Sequence, residues 1–388
     1  MAGVITAPTR AAMRRARAQV RGVSRSIVFL LVPVSLLVVV GLGAILSASS
    51  VLGLRENGDS LYYFKRQIVW LVVGVIGMVT AAFIPVRWWR RMAFPLFALT
   101  VALLAAVMVF GTRVNGATRW LVLGPVSLQP SELAKLSTVL FLATIVSRRE
   151  RYINRLRDFF IPVAGSVGIV AALVMVQPDL GTTLLVSTGA FAVLVASAVP
   201  MRYVIGSAVA SAGGALALAA ASPYRWARVT AFLDLQSDPL GSSYQAVQGL
   251  VALGTGGLWG VGLGASRARW SFLPNAHTDF VFAILGEETG LAGSLAVVAL
   301  FTAFTIAGTM IAKRCTDSFG RLVAVGITTW LAAQAIVNIG GVVGVLPITG
   351  IPLPFVSFGG TALVVSLVGV GVLVSVARDV DPIEAQTW

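Results

Sequence analysis

Long apolar runs dominate the chain and recur at short intervals. A helix needs about 20 mostly apolar residues to cross a bilayer. Ten stretches approach or meet that length: 27–49, 68–84, 93–110, 133–147, 159–176, 180–199, 204–221, 280–311, 322–346 and 362–377. The fifth and sixth are parted only by Gln177-Pro178-Asp179, which predicts a tight hairpin. The fourth is short and polar at its start. The pattern predicts an all-α polytopic membrane protein of about ten transmembrane helices, with a large extracytoplasmic loop between the seventh and eighth. The chain divides into a basic segment 1–26, a transmembrane domain 27–377 containing the loop 222–279, and a tail 378–388.

Composition agrees. Of 388 residues, 57% are hydrophobic and 11% charged, against about 25% charged in a soluble domain. Soluble globular, disordered and nucleic-acid-binding classes are set aside on those numbers. The net charge of +14 is read as membrane topology, because Lys and Arg gather at cytoplasmic helix ends. Nineteen of the 29 basic residues fall on the side that carries both termini, nine on the other, and Lys135 lies within a span. That predicts cytoplasmic termini. The first span has no small-residue cleavage site at its end and is read as retained. The single cysteine, Cys315, excludes an intrachain disulfide, and the single histidine, His277, excludes a multi-histidine metal site.

Three external loops are long: 111–132, 222–279 and 344–360. Functional residues concentrate on loops held by a rigid scaffold, so chemistry is expected at the outer face. In the longest loop, residues 244–253 (YQAVQGLVAL) place Ala246, Leu250 and Leu253 on one helical face, which suits an interfacial amphipathic helix. A glycine cluster follows, Gly254 to Gly264. Its amides suit either an anion such as pyrophosphate or a re-entrant turn. Then come Arg267, Arg269 and Trp270, and His277-Thr278-Asp279 at the mouth of a long apolar helix. Asp279 is either a functional acid at membrane depth or a helix N-cap. Glu287 lies about 80° from Asp279 around that helix and Glu288 about opposite.

Four further groups carry polar chemistry. Arg119 and Trp120 precede Gln129-Pro130-Ser131-Glu132, where Pro130 suits the first turn of a helix. Glu132 and Lys135 are three apart and can pair on one face. Lys135 either faces a phosphate-bearing lipid with Arg119 or neutralises Glu132 inside the bundle. Asp179 stands where it can cap the following helix through its side chain. The segment 346–360 (LPITGIPLPFVSFGG), which includes Ser357, cannot form a regular helix and must line a cavity or be covered. Gln334 and Asn338, four apart, suit interhelical hydrogen bonding.

The stretches NGATRW…GPVSLQPSELAKL, QPDLGTT, YQAVQGLVALGTGGLWGVGLG…LPNAHTDFVFAILGEETGLAG and NIGGVVGVLPITGIPLPFVSFGG resemble the SEDS (shape, elongation, division and sporulation) family. The wording GEE after HTDFVFAIL, together with LPITGIPLPFVSFGG, leans toward its FtsW-like division branch rather than the RodA-like elongation branch. Division-branch relatives often carry a basic residue where this chain has Ser127. The resemblance implies a peptidoglycan glycosyltransferase that polymerises lipid II at the outer face of the bacterial cytoplasmic membrane, at the division septum. It also implies a class B penicillin-binding transpeptidase partner and other divisome membrane proteins. The family's essential external acid falls on Asp279, and its Arg-Trp pair and membrane-proximal lysine fall on Arg119, Trp120 and Lys135.

On this reading Asp279 is the general base. Arg119, Trp120, Glu132, Lys135, Arg267, Arg269, His277 and Ser357 bind substrate. Gln129, Pro130, Asp179, Glu287 and Asn338 support them. No cofactor is obligatory, and a divalent cation (Mg or Mn) is compatible with a pyrophosphate leaving group. Two other classes stay open: a lipid II flippase, and a non-catalytic scaffold that activates a transpeptidase.

Overall fold

The computed structural model describes residues 10–114, 117–124, 126–149, 160–220, 243–270, 273–274 and 276–379, with positions 226 and 232. Eleven α-helices of eight or more residues occur among them: α1 Arg10–Asn57, α2 Tyr62–Phe83, α3 Val86–Phe110, α4 Pro130–Arg149, α5 Gly165–Val176, α6 Leu180–Val195, α7 Met201–Ala220, α8 Tyr244–Gly256, α9 Val281–Arg314, α10 Ser318–Val342 and α11 Gly360–Asp379. A π turn, Phe160–Ala164, leads into α5. Among the described residues, seven helices (α1 to α4 and α9 to α11) are long and apolar enough to cross a membrane, while the α5 and α6 stretches are shorter apolar helices. The polytopic helical reading therefore holds. The parts of the 222–279 loop before residue 243 lie outside the described residues, apart from positions 226 and 232.

Several boundaries differ from the hydropathy reading. α3 begins seven residues before its predicted span because Val86-Arg87-Trp88-Trp89-Arg90-Arg91-Met92 is amphipathic: Val86 and Trp89 are buried while Arg91 and Met92 are exposed. The basic residues 10–25 are helical and run without a break into the first span. A further difference is a three-stranded antiparallel sheet in the 111–129 loop, β1 Thr112–Val114, β2 Ala117–Leu123 and β3 Val126–Leu128, in the order β1-β2-β3.

The core is made by α4, α10 and α11, whose most apolar windows are 78%, 61% and 78% buried, while α2 and α3 face outward at 17% and 28%. Apolar burial does not drive helices together in lipid, so interfaces use small residues that allow close approach. At Gly371 an added Cβ would sit 2.2 Å from the Met78 carbonyl oxygen, which locks α11 against α2. The first turns are capped where polar residues precede them: Asp317 Oδ2 accepts from Gly320 N at 3.1 Å at the start of α10.

α1 and α9 run side by side in opposite directions. Arg314 donates to Ser26 Oγ at one end, and Ser47 Oγ donates to Glu288 Oε1 at the other. The 21 residues between Ser26 and Ser47 span about 31 Å, the thickness of a bilayer's hydrocarbon core.

Just past Glu288, α9 breaks: Gly290 adopts φ 69 and ψ −165, which interrupts the helical ladder. The glycine-rich segment after α8 repairs it: Val261 N donates to Glu287 O at 3.0 Å and Gly262 N to Glu288 O at 3.2 Å. In return Leu291 N donates to Gly257 O at 2.9 Å and Ala292 N to Leu258 O at 3.2 Å. The amides of Val261 and Gly262 are thus spent on α9 rather than open to an anion. α8 itself forms as predicted, but its buried face is Ala246, Gly249, Ala252 and Gly256. Gly249 lies against the Phe280 ring and Gly256 against the Gly286 carbonyl, so α8 packs on α9.

Candidate active site

Asp279 stands two residues before α9, half-buried, with Thr278 Oγ1 donating to its Oδ1 at 3.0 Å. Phe280, the residue at the N-cap of α9, makes no side-chain cap bond. The main chain of Asp279 is held from α10, where Asn338 Nδ2 donates both to Asp279 O and to Ile351 O, each at 2.7 Å. Asn338 thus ties the start of α9 to the proline-rich loop 343–359. That loop turns through Gly350 at φ 70, and an added Cβ there would lie 3.8 Å from Asp279 Oδ2.

Between these elements is a pocket lined by Asp279, Val337, Asn338, Ile348, Thr349 and Gly350, among others. Two buried oxygens on its lining, Asn338 Oδ1 and Thr349 Oγ1, have no hydrogen-bond partner among the described residues. Buried polar atoms are almost always paired, so these two mark a place where a ligand or water is expected.

The far side of residues 349–351 meets the Gln177-Pro178-Asp179 hairpin. An added Cβ at Gly181 would lie 2.7 Å from Ile351 Cγ1 and 3.1 Å from Thr349 O. Asp179 caps α6, accepting from Thr182 N at 3.1 Å and Thr182 Oγ1 at 2.9 Å. Arg119, on β2, donates from Nε to Gln177 O at 3.0 Å and from Nη2 to Pro178 O, with Nη1 3.8 Å from Asp179 Oδ1. Gln129 Nε2 reaches Asp179 Oδ2 at 3.5 Å. Pro130 opens α4, as its fixed φ allows. Trp120 pairs across the sheet with Thr112 and is half-exposed. Thus the three long loops converge, with residues 349–351 touching both Asp279 and the hairpin that Arg119 holds.

Lys135 and Glu132 close on each other. Lys135 Nζ lies 2.7 Å from Glu132 Oε2 and donates to Gln334 Oε1 at 2.9 Å, and its side chain is 0% exposed. Trp330 Nε1 also donates to Gln334 Oε1, at 3.0 Å. With its oxygen occupied, Gln334 turns its Nε2 to Pro352 O at 2.9 Å. This is the self-neutralising arrangement, and a phosphate contact would require Lys135 to leave it.

Glu287 and Glu288 do not join Asp279. Glu287 accepts from Ser266 Oγ, from Arg267 N at 3.0 Å and from Ala268 N at 3.3 Å, so it holds the segment carrying Arg267 and Arg269. Arg267 is exposed, and the Arg269 guanidinium lies 5.8 Å from the Trp270 ring centroid. Ser357 is buried, its Oγ accepting from Leu353 N at 2.8 Å. His277 packs against Tyr63 and Phe358, ring centroids 4.9 and 5.7 Å away. Burial pushes its pKa down to about 4, so it is neutral at physiological pH. Asn115, Gly116 and Asn275 lie outside the described residues.

The sequence reading missed Tyr63 and Gln67, and gave Thr349 and Phe358 only as members of the 346–360 segment. Gln67, whose Nε2 donates to Ser357 O at 3.3 Å, had a legible signal: a lone amide at the head of an apolar run. Thr349 gave none.

The family model for FtsW, RodA and SpoVE, described as cell cycle proteins, matches residues 27–381. The chain belongs to this family. A probable peptidoglycan glycosyltransferase FtsW of Mycobacterium tuberculosis is 39% identical over 346 residues, covering 89% of this chain and 66% of that longer protein. The stage V sporulation protein E of Bacillus subtilis is 39% identical over 346 residues, covering 88% and 94%. Among solved structures, a chain of a peptidoglycan synthase complex, studied for its coordination of polymerization and crosslinking, superposes with a TM-score of 0.74 at 31% identity, covering 91% of this chain and 97% of that one. The rod shape determining protein RodA of Thermus thermophilus superposes with a TM-score of 0.68 at 30% identity, covering 90% and 96%. This FtsW/RodA/SpoVE member is thus matched along nearly all of its membrane domain, both loops of the pocket included.

Proposed function

We propose that this chain is a peptidoglycan glycosyltransferase that polymerises lipid II during cell division. The observation that carries the reading is the Asp279 pocket: a carboxylate positioned through its own main chain, beside two unpaired oxygens, where the external loops meet. Relatives named FtsW glycosyltransferases support the class of reaction.

The acceptor sugar's 4-hydroxyl oxygen attacks the anomeric carbon of the lipid-linked sugar. A glycosidic bond forms, the bond from that carbon to the pyrophosphate oxygen breaks, and the hydroxyl proton passes to Asp279. A positioned base contributes about 10²- to 10⁴-fold. The Arg119 side chain is 29% exposed, and with Arg267 and Arg269 it supplies positive charge for the leaving pyrophosphate. Among the described residues no three His, Cys, Asp or Glu side chains come together. If a divalent cation takes part, Asp279 is the carboxylate that would hold it together with the substrate's phosphates, and the cation would offset the charge of the leaving pyrophosphate.

The chain lies in the bacterial cytoplasmic membrane with both termini inside and the pocket outside, at the septum. Its partner is a class B penicillin-binding transpeptidase, a reading supported by the synthase complex it resembles, with other divisome membrane proteins beside it. The test is lipid II polymerisation by the purified chain with its cognate transpeptidase, against a transglycosylase-dead control. Glycan ladders are expected. Lipid II movement across proteoliposomes without ladders would make the chain a flippase, and ladders from the partner alone would leave it a scaffold.

A further inference from the structure

Asn338 is an amide whose orientation is settled. Its nitrogen donates to two main-chain carbonyls, Asp279 O and Ile351 O, at 2.7 Å each. Exchanging its nitrogen and oxygen would set an oxygen against both, so Oδ1 is the free end. Asn338 is 5% exposed. Across the same pocket the Thr349 hydroxyl is equally unpartnered among the described residues. The open space there admits a water-sized group. A buried acceptor left unpaired costs about 1–3 kcal/mol. Two such oxygens within one pocket, beside the base, constitute a site whose occupant brings hydrogens.

We propose that Asn338 Oδ1 and Thr349 Oγ1 form a specificity subsite that accepts one O–H or N–H donor group of the saccharide substrate next to the hydroxyl facing Asp279. The proposal rests on the glycosyltransferase reading and extends it. Asn338 Oδ1 can only accept, so the group it reads must donate. A sugar lacking that hydrogen leaves Asn338 Oδ1 unpaired, which is how such a site discriminates, while the Thr349 hydroxyl can either accept from or donate to the same substrate group. Asn338 therefore acts twice: its nitrogen fixes where the base stands, and its oxygen registers the substrate beside it.

Thr349→Val tests this, because it deletes the hydroxyl and keeps the shape. Removing an unpaired buried oxygen leaves the thermal midpoint of the detergent-solubilised protein unchanged or raises it. In the assay with the transpeptidase partner, KM for lipid II rises about three- to tenfold, the loss of one hydrogen bond, and Thr349→Ser recovers most of it. A wild-type KM in Thr349→Val overturns the subsite. So does a lowered thermal midpoint, which would make the hydroxyl part of a water-bridged structural contact. Lipid II binding to Asp279→Asn, with and without Thr349→Val, separates the two readings. If wild type makes no glycan but Thr349→Val still weakens binding, the subsite stands and the polymerase reading falls. Equal binding with normal wild-type turnover does the reverse.

Discussion

Asn338 on α10 holds the carbonyl oxygen of Asp279 at 2.7 Å, 59 residues away in sequence. The carboxylate is thus placed through its main chain as well as by the Thr278 hydroxyl on its Oδ1. The same amide hydrogen-bonds Ile351 O, so one side chain ties the loop 343–359 to the start of α9.

Asn338→Ala therefore abandons two carbonyls at once. Each buried unpaired group costs about 1–3 kcal/mol, and a displacement of about 1 Å at a reacting group can cost about 100-fold. Folded Asn338→Ala is expected to retain about 1–10% of wild-type kcat for lipid II polymerisation. Unchanged kcat in the folded fraction would limit Asn338 to packing.

Lys135→Met separates a buried ion pair from a phosphate ligand. Breaking a buried pair by removing one partner costs about 3–5 kcal/mol, because the remaining charge is stranded. The thermal midpoint should fall steeply in Lys135→Met and recover in Lys135→Met/Glu132→Gln. Recovery of stability together with activity would show that Lys135 does not touch the pyrophosphate. Recovery of stability without activity would show that it does.

The spans were legible because a run of about 20 apolar residues has few other meanings. The motif residues were legible as polar interruptions. Partnership was not. Lys135 and Gln334 meet across 199 positions, and no local pattern announces that. The break at Gly290 was hidden because glycines inside a helical stretch are tolerated, and its repair comes from residues 257–262, a separate loop. β2 was read as loop because its alternation is short and ends at Gly124, whose φ is 62. Arg119 and Asp179 were each singled out, but their 3.8 Å approach was visible only once α6 and the sheet were in place.

His277 gives a pH dependence with a definite sign. Its pKa falls from 6.5 to about 4 on folding, because burial disfavours the imidazolium. The unfolded chain then binds more protons between those values, so stability drops as pH falls from about 6.5 to about 4. Thermal midpoints of wild type and His277→Gln, measured across that window, should diverge, with the variant showing the shallower fall. Parallel curves would assign the acid sensitivity to other groups.

The most direct test is glycan formation from lipid II by wild type and Asp279→Asn, each folded and each with the same transpeptidase. Asparagine keeps the shape and the Asn338 contact to the main chain but cannot take the proton. Ladders from wild type and none from Asp279→Asn are the predicted result. Equal ladders from both would contradict it, removing Asp279 from the chemistry.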